Sequence, residues 1–295
     1  MEYLRQVFKD DMIPEPVIAW LIANDYGQVL ESRAVGGGCI NHGRRLSVSH
    51  GISIFLKTNR NTPADMFARE AEGLIALRIG VGPRVPEPFC FGPDFLLMED
   101  LAPGPRQPDY WMVFGRQLAA LHNQIQPRFG FIHDNYIGST PQLNPWTEGG
   151  YIFFGEQRLM FQARLANRRG LLGAGEVSRV EQLAVRLPEL IPEQPASLIH
   201  GDLWGGNAMT DARGNPAIID PAAHYGWAEA ELAMTTLFGS FPDAFYRAYQ
   251  EVRPLEKGFW QRFPIYNLYH LLNHLNLFGA GYLGEVLAIL RETHY

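Results

Sequence analysis

The spacing of apolar residues changes from about two to between three and four along this chain, and the change divides it. Residues 14–24 read as a short helix opened by proline. Alternating apolar and polar positions then predict strands over 28–35, 44–49 and 52–57, with a glycine cluster at 36–38 and a His50-Gly51 turn between them. In the third of these, Ile52, Ile54 and Leu56 share one face and Ser53, Phe55 and Lys57 the other. Residues 63–79 return to a helical period, 80–88 are rich in proline and glycine, and Phe95–Met98 is a compact apolar strand.

The run Leu101-Ala-Pro-Gly-Pro-Arg-Gln-Pro108 breaks the pattern, and the lobe boundary is placed in 101–109. Beyond it the period is helical over 110–124, 151–169, 175–187, 229–238 and 258–280, interrupted only by a strand-bearing segment at 197–220. A strand-rich first third followed by helices predicts an α+β, bilobal chain: a small β-rich lobe over 1–100, a linker over 101–109 and a larger helical lobe over 110–295.

Composition narrows the function classes. With 46% hydrophobic and 19% charged residues the chain is globular rather than disordered. A formal charge of -6 offers no electrostatic case for nucleic acid, and no apolar run is long enough to span a bilayer. The N-terminus lacks the pattern of a signal peptide, and two cysteines, Cys39 and Cys90, make no disulfide framework. A cytoplasmic protein, monomeric or weakly dimeric, is expected.

The chemistry concentrates in His200-Gly-Asp-Leu-Trp-Gly-Gly-Asn207 and in Asp220. Asp202 can accept a proton from a hydroxyl. Asn207 offers an amide oxygen and Asp220 a carboxylate to one metal ion. Between them, 207–210 and 216–219 flank the turn-rich Asp211–Asn215, which predicts a hairpin that brings Asn207 and Asp220 together. A base, an asparagine and an aspartate in this order are the working set of a kinase-type phosphoryl transferase with ATP and Mg2+.

The first lobe supplies matching parts. Gly36, Gly37, Gly38, Cys39 and Asn41 sit between two predicted strands, where glycines let backbone amides approach phosphates; a plain turn is the simpler alternative. Lys57 can reach phosphates if a carboxylate holds it. Glu70 lies on the same helix face as Phe67 and Leu74, and a carboxylate there needs a buried partner. Glu72, rotated by about 200° at roughly 100° per residue, points away. Met98, Glu99 and Leu101 end the last strand of the lobe, so that the backbone of Glu99 and Leu101 can meet an adenine edge with Met98 behind it.

Together these blocks resemble the fructosamine kinase (ketosamine-3-kinase) family, within the protein-kinase-like and aminoglycoside-phosphotransferase-like enzymes. The resemblance runs through 36–41, Met66–Glu70, Leu97–Glu99, Phe129-Gly130, Asp134–Gly138, Gln142–Trp146, Phe153-Phe154, Arg158-Leu159, 200–207, Asp220–Ala222, Phe238–Pro242 and Leu268–His274. It implies ATP-dependent phosphorylation of the 3-hydroxyl of ketosamines, free or on protein lysines, which frees the amine. It also implies Asp202 as base, Asn207 and Asp220 as magnesium ligands, Lys57 with Glu70 on the phosphates, and Trp204 and His200 shaping the acceptor side. Four positions depart from the pattern that the resemblance implies: Trp227-Ala228 replaces an aspartate–arginine pair, Glu231 an aspartate, and Gly150 a tryptophan.

Some residues keep two readings. Trp204 can stack on a sugar or pack in the core. His270 and His274 have zinc-ligand spacing but no third ligand, and with Tyr269 and Asn273 they form a polar stripe that lines an acceptor cleft or is a hydrogen-bonded core. Cys39 is redox-sensitive or a quiet turn residue. The rival functions are another small-molecule kinase, of the aminoglycoside or choline type, and a catalytically silent nucleotide-binding module.

Overall fold

Pro14 stands at the mouth of helix α1 (Glu15–Ala23), where its missing N–H leaves no intrahelical bond unmade. The computed structural model describes residues 13–36 and 41–292. Gly37, Gly38 and Cys39 lie outside them. The chain divides into one unit of Met1–Ala71 with Pro86–Ala102 and another of Glu72–Val85 with Pro103–Tyr295.

The first unit is an antiparallel sheet of β1 (Val29–Val35), β2 (His42–Val48), β3 (Ser53–Thr58), β4 (Pro88–Gly92) and β5 (Phe95–Glu99), in the order β1-β2-β3-β5-β4. One face takes Leu46, Val48, Ile54, Leu56, Phe95 and Leu97, and Val17 and Leu21 of α1 close over it. This is the period-two alternation expected of β3, with Ile54 and Leu56 inward. The strand β4 was not expected, because Pro88 and the neighbouring glycines look like loop. It is an edge strand with a register shift between Pro88 and Cys90, the one sheet position that tolerates proline. Helix α2 (Met66–Leu77) begins in this unit with Phe67 and Ala71 buried.

The second unit is mainly helical: α3 (Tyr110–His122), α4 (Gly150–Ile152), a π-helical stretch Phe153–Met160, α5 (Phe161–Arg168), α6 (Ala174–Leu190), α7 (Ala228–Met234), α8 (Asp243–Val252), α9 (Phe259–Phe278) and α10 (Leu283–Glu292). Helix α9 is buried along most of its length, which explains why its period carries apolar residues nearly all round. Three sets of short strands hold the loops: β6 (Ile125–Gln126), β9 (Ala196–Ile199) and β12 (His224–Gly226) in the order β12-β9-β6, the hairpin β7–β8 (Asn135–Ile137 and Thr140–Gln142), and the hairpin β10–β11 (Ala208–Thr210 and Pro216–Ile218).

Mixed helix and sheet, with a small antiparallel sheet unit, is the α+β class expected. Two expectations need correcting. The segment 151–169 is not one α-helix but α4, the π-helical stretch and α5 in succession. The segment 229–238 stops being helical at Met234, where Thr235 turns its hydroxyl onto the Leu232 carbonyl at 2.6 Å. Helices α8 and α10 and the hairpin β7–β8 are additions that the pattern did not announce.

Candidate active site

Strand β9 delivers the chain to His200, and a tight loop follows. Gly201 has φ +83°, and a Cβ there would collide with the carbonyl oxygen of Ala222, so the turn requires glycine. The loop amides are held by one carboxylate. Glu231, fully buried on α7, accepts the His200 N–H at 2.8 Å and the Gly201 N–H at 2.7 Å, and meets His122 Nε2 at 3.0 Å. His122 Nδ1 in turn lies 2.8 Å from the Tyr249 hydroxyl.

Burial pushes the His122 pKa down, so the ring is neutral and its Nε2–H donates to Glu231. For Glu231 burial alone would raise the carboxyl. His122 and the loop amides outweigh it, and the net shift is downward. A glutamate at 231 therefore caps the catalytic loop in full.

Asp202, half-buried, stands immediately after this turn. Asn207 Nδ2 donates to the Asp202 backbone oxygen at 2.8 Å and to its Oδ2 at 3.3 Å. Burial first, and the Asp220 carboxylate second, raise the Asp202 carboxyl well above its ordinary value, against the lowering effect of Asn207. The expected hairpin follows, with Ala208 opposite Ile218 and Thr210 opposite Pro216. Asn207 continues the ladder by accepting the Ile219 N–H at 3.2 Å. The next residue, Asp220, has φ +59°, a left-handed conformation that a side chain seldom adopts. Its neighbours are pinned on both sides, as His200 Nε2 donates to the Ile219 carbonyl at 2.8 Å and the Ala222 N–H donates to the His200 carbonyl at 2.9 Å.

These donors suit a hard divalent cation. Asn207 spends its NH2 on Asp202, so its amide oxygen is the atom left to face a ligand, and Asp220 adds a carboxylate. Among the described residues no group of three His, Cys, Asp or Glu is arranged to hold a metal alone.

In the first unit, Lys57 Nζ lies 2.5 Å from Glu70 Oε1, and both side chains are nearly buried. The pair expected from the helix face is present. Glu72 turns the other way and meets His133 Nδ1 at 3.0 Å. At the end of β5, Met98 is buried and Leu101 is 7% exposed. Glu99 exchanges bonds with Glu87, its N–H reaching the Glu87 carbonyl at 2.8 Å and its Oε2 accepting the Glu87 N–H at 3.2 Å. Asn41 Oδ1 accepts from Asn59 Nδ2 at 3.2 Å, and Gly36 directly follows β1.

Asp100 was not singled out from the sequence and is the fixed point of this strand end. It takes Arg45 Nε and Ser53 Oγ at 2.5 Å each and the Ala102 N–H at 3.0 Å. Burial opposes its ionisation, but these donors hold its pKa below the usual value.

The acceptor-side residues separate. Trp204 is half-buried beside Asp202, edge-on to Phe238 at 6.0 Å, and Phe238 lies 4.7 Å from His274. His270 and Asn273 are buried, and Gln162 Nε2 donates to Asn273 Oδ1 at 3.3 Å. Of the two readings of that stripe, the hydrogen-bonded core describes Asn273, while His270 is buried with its Nδ1 unpartnered. His274 Nδ1 is 2.8 Å from the His270 carbonyl, not turned to a shared metal.

Two departures from the expected pattern explain each other. A Cβ on Gly150 would come within 2.6 Å of the Phe129 ring and 2.7 Å of Trp227 Nε1, so the Trp227 indole fills the space above this glycine. Phe129, Tyr151, Phe154 and Tyr266 pack round the same indole. No sequence signal pointed to Glu231 as a cap or to Asn135, Gln142, Asn144 and Arg158 as partners of the Asp220 segment, since their partners lie up to a hundred residues away.

With the geometry described, similarity to known proteins can be stated. A family model for fructosamine kinase matches residues 17–294. A probable ketoamine kinase of Synechocystis is 43% identical over 289 residues, covering 95% of this chain and 96% of that protein. The chloroplastic protein-ribulosamine 3-kinase of Arabidopsis thaliana is 36% identical over 294 residues, covering 95% and 88%. A Thermobifida fusca crystal structure assigned as a fructosamine-3-kinase superposes with a TM-score of 0.86 at 35% identity, over 94% of this chain and 98% of the other. An aminoglycoside phosphotransferase shares the fold alone, with a TM-score of 0.58 at 15% identity over 96% and 100%.

Proposed function

The chain belongs to the fructosamine kinase family, and on that premise we propose that it transfers the γ-phosphoryl group of ATP to the 3-hydroxyl of a ketosamine. Fructosamines and ribulosamines, free or on protein lysines, are its substrate class. The observation that carries this reading is the Asp202 carboxyl fixed on a capped loop beside Asn207 and Asp220.

Asp202 orients the acceptor hydroxyl and takes its proton as the new oxygen–phosphorus bond forms and the bond from the γ-phosphorus to the bridging oxygen of ADP breaks. Its raised proton affinity in the free protein suits a base that must accept that proton. Asn207 steadies the carboxylate through its NH2, and Glu231 holds the backbone from which Asp202 projects. Lys57, held by Glu70, takes the ATP phosphates, with the glycine-rich loop covering them. Asn207 and Asp220 would hold magnesium, which when bound supplies neutralisation of the charge on the phosphate oxygens. Trp204 offers a ring face to the acceptor. The protein acts in the cytoplasm as a monomer or weak dimer, away from nucleic acid and membranes. Its charge of -6 supports the first exclusion, and no described helix is long and apolar enough to cross a bilayer.

Magnesium-dependent ADP release on fructosyl-lysine, ribulosyl-lysine, a glycated protein, an aminoglycoside and choline tests the reading, with Asp202→Asn as control. Turnover on a ketosamine, falling by about 10²–10⁴-fold in the variant, is the expected result. Turnover confined to the aminoglycoside or choline would replace the substrate class. ATP binding with no turnover on any acceptor would leave a nucleotide-binding module.

A further inference from the structure

Asp220 is the one ligand of the proposed metal site whose backbone is held in an unfavourable conformation. For a residue with a side chain, φ near +59° persists only where the surroundings over-determine it. The segment after it is fixed by side chains from elsewhere in the unit. The Ala222 carbonyl accepts Gln142 Nε2 at 3.0 Å and His224 Nδ1 at 2.9 Å, and the Ala223 carbonyl accepts Asn135 Nδ2 at 2.8 Å. All three donors are nearly inaccessible to solvent, with Gln142 only 1% exposed.

The direction of this network is imposed from its far end. Arg158 is 1% exposed on the π-helical stretch, where burial lowers its pKa to about 10, so it stays charged at neutral pH. A guanidinium can only donate. Arg158 Nη2 gives a hydrogen bond to Asn144 Oδ1 at 2.6 Å, and Nη1 gives one to the Leu143 carbonyl at 2.6 Å. The Asn144 amide must therefore present its NH2 on the other side, where Nδ2 donates to Asn135 Oδ1 at 2.9 Å.

With its oxygen so occupied, and again by Gln142 Nε2 at 2.7 Å, Asn135 has only its NH2 left for Ala223. Gln142 is set by the two acceptors that face its NH2, Asn135 Oδ1 and the Ala222 carbonyl, and its Oε1 accepts the Tyr269 hydroxyl at 2.7 Å. A flipped Asn144 or Asn135 would place donor against donor, and a flipped Gln142 would turn its oxygen onto the Ala222 carbonyl and Asn135 Oδ1, acceptor against acceptor. The chain of amides thus has one permitted orientation, and it ends on the two carbonyls that follow Asp220-Pro221.

We propose that Asn135, Gln142, Asn144 and Arg158, with Tyr269, form a positioning network that holds the Asp220 carboxylate ready for the divalent cation. The network acts through the backbone of Ala222 and Ala223, so its loss weakens the metal site and leaves acceptor recognition unchanged. This inference rests on the reading of Asp220 as a metal ligand.

The test is Mn2+ binding, followed by electron paramagnetic resonance in the presence of a non-hydrolysable ATP analogue, for wild type, Gln142→Met, Tyr269→Phe and Asp220→Asn. Gln142→Met is expected to weaken Mn2+ binding by about 10–100-fold, the usual cost of losing a group that orients a metal ligand. Tyr269→Phe removes a single hydroxyl, keeps the ring, and should weaken it in the same direction by a smaller factor. The KM for ketosamine should stay within twofold in both. Folded variants that bind Mn2+ as tightly as the wild type would overturn the network's role. If Gln142→Met does not fold, Tyr269→Phe decides. Wild-type affinity in Asp220→Asn would instead sink the reading of Asp220 itself, a result distinct from an Asp220-dependent site that ignores Gln142 and Tyr269.

Discussion

Asp202 carries two opposed demands. Catalysis needs a carboxylate there, while burial and Asp220 make the ionised form costly in the free protein. Its folded-state pKa lies above the unfolded value, so the stability it contributes is complete at low pH and is lost as pH rises through the folded value. Asp202→Asn keeps an oxygen for Asn207 and removes the charge. The metal-free variant should therefore melt at a higher temperature than the wild type at pH 8 and show little difference at pH 4. Calorimetry at the two values checks this, and equal melting temperatures at pH 8 would show that the carboxylate is not strained. Lys57 behaves differently, because its ion pair with Glu70 at 2.5 Å is nearly buried. Breaking a buried pair from one side costs about 3–5 kcal/mol of stability, and Glu70→Gln should also raise the KM for ATP by about tenfold. An unchanged denaturation midpoint would count against that.

Helix α7 is the element that converts sequence-distant residues into a site. Its Glu231 receives two successive loop amides and His122, with no solvent to replace a lost bond. Glu231→Gln turns one acceptor oxygen into a donor facing donors. The loss expected is about 1–3 kcal/mol for each unsatisfied group, with kcat falling and the KM for ATP little changed. A variant with wild-type kcat would show that the loop keeps its shape unaided.

The start of α4 is equally constrained. Gly150→Ala pushes a Cβ into Phe129 and Trp227 and should destabilise by about 1–3 kcal/mol, read from chemical denaturation. The sequence shows Gly150 and Trp227 as separate positions, and only packing shows that the indole fills the space above the glycine. What could be read beforehand was local: the alternation of β3, the burial demand on Glu70, and the turn chemistry that joins β10 to β11. A π-helix has no periodic signature distinct from an α-helix over eight residues, so the inward turn of Arg158 left no trace. Likewise the amide network spans 135–269 and depends on the direction of hydrogen bonds, which residue spacing does not encode.

At the scale of the molecule, buried histidines set the response to acid. Among the described residues His122, His224 and His270 are almost wholly inaccessible, and burial is the main reason that each has a lowered pKa. His270, beside His274 and Arg158, is pushed down to about 3. A lowered folded-state value means that the unfolded chain binds protons the folded protein refuses. Stability is then full above the unfolded histidine value near 6.5 and drains away as pH falls toward the folded values.

Each such proton contributes a slope of about 1.4 kcal/mol per pH unit, so three together give up to about 4. The denaturation free energy should therefore fall steeply from pH 6.5 to pH 5, before the carboxylates titrate. His270 is the one to remove, because its buried Nδ1 has no hydrogen-bond partner. His270→Asn should flatten the slope by close to one proton over that range while leaving stability at pH 8 nearly unchanged. Urea denaturation at half-unit steps gives the slope directly. An unaltered slope in the variant would mean that His270 takes up its proton in the folded state, and that acid sensitivity arises elsewhere.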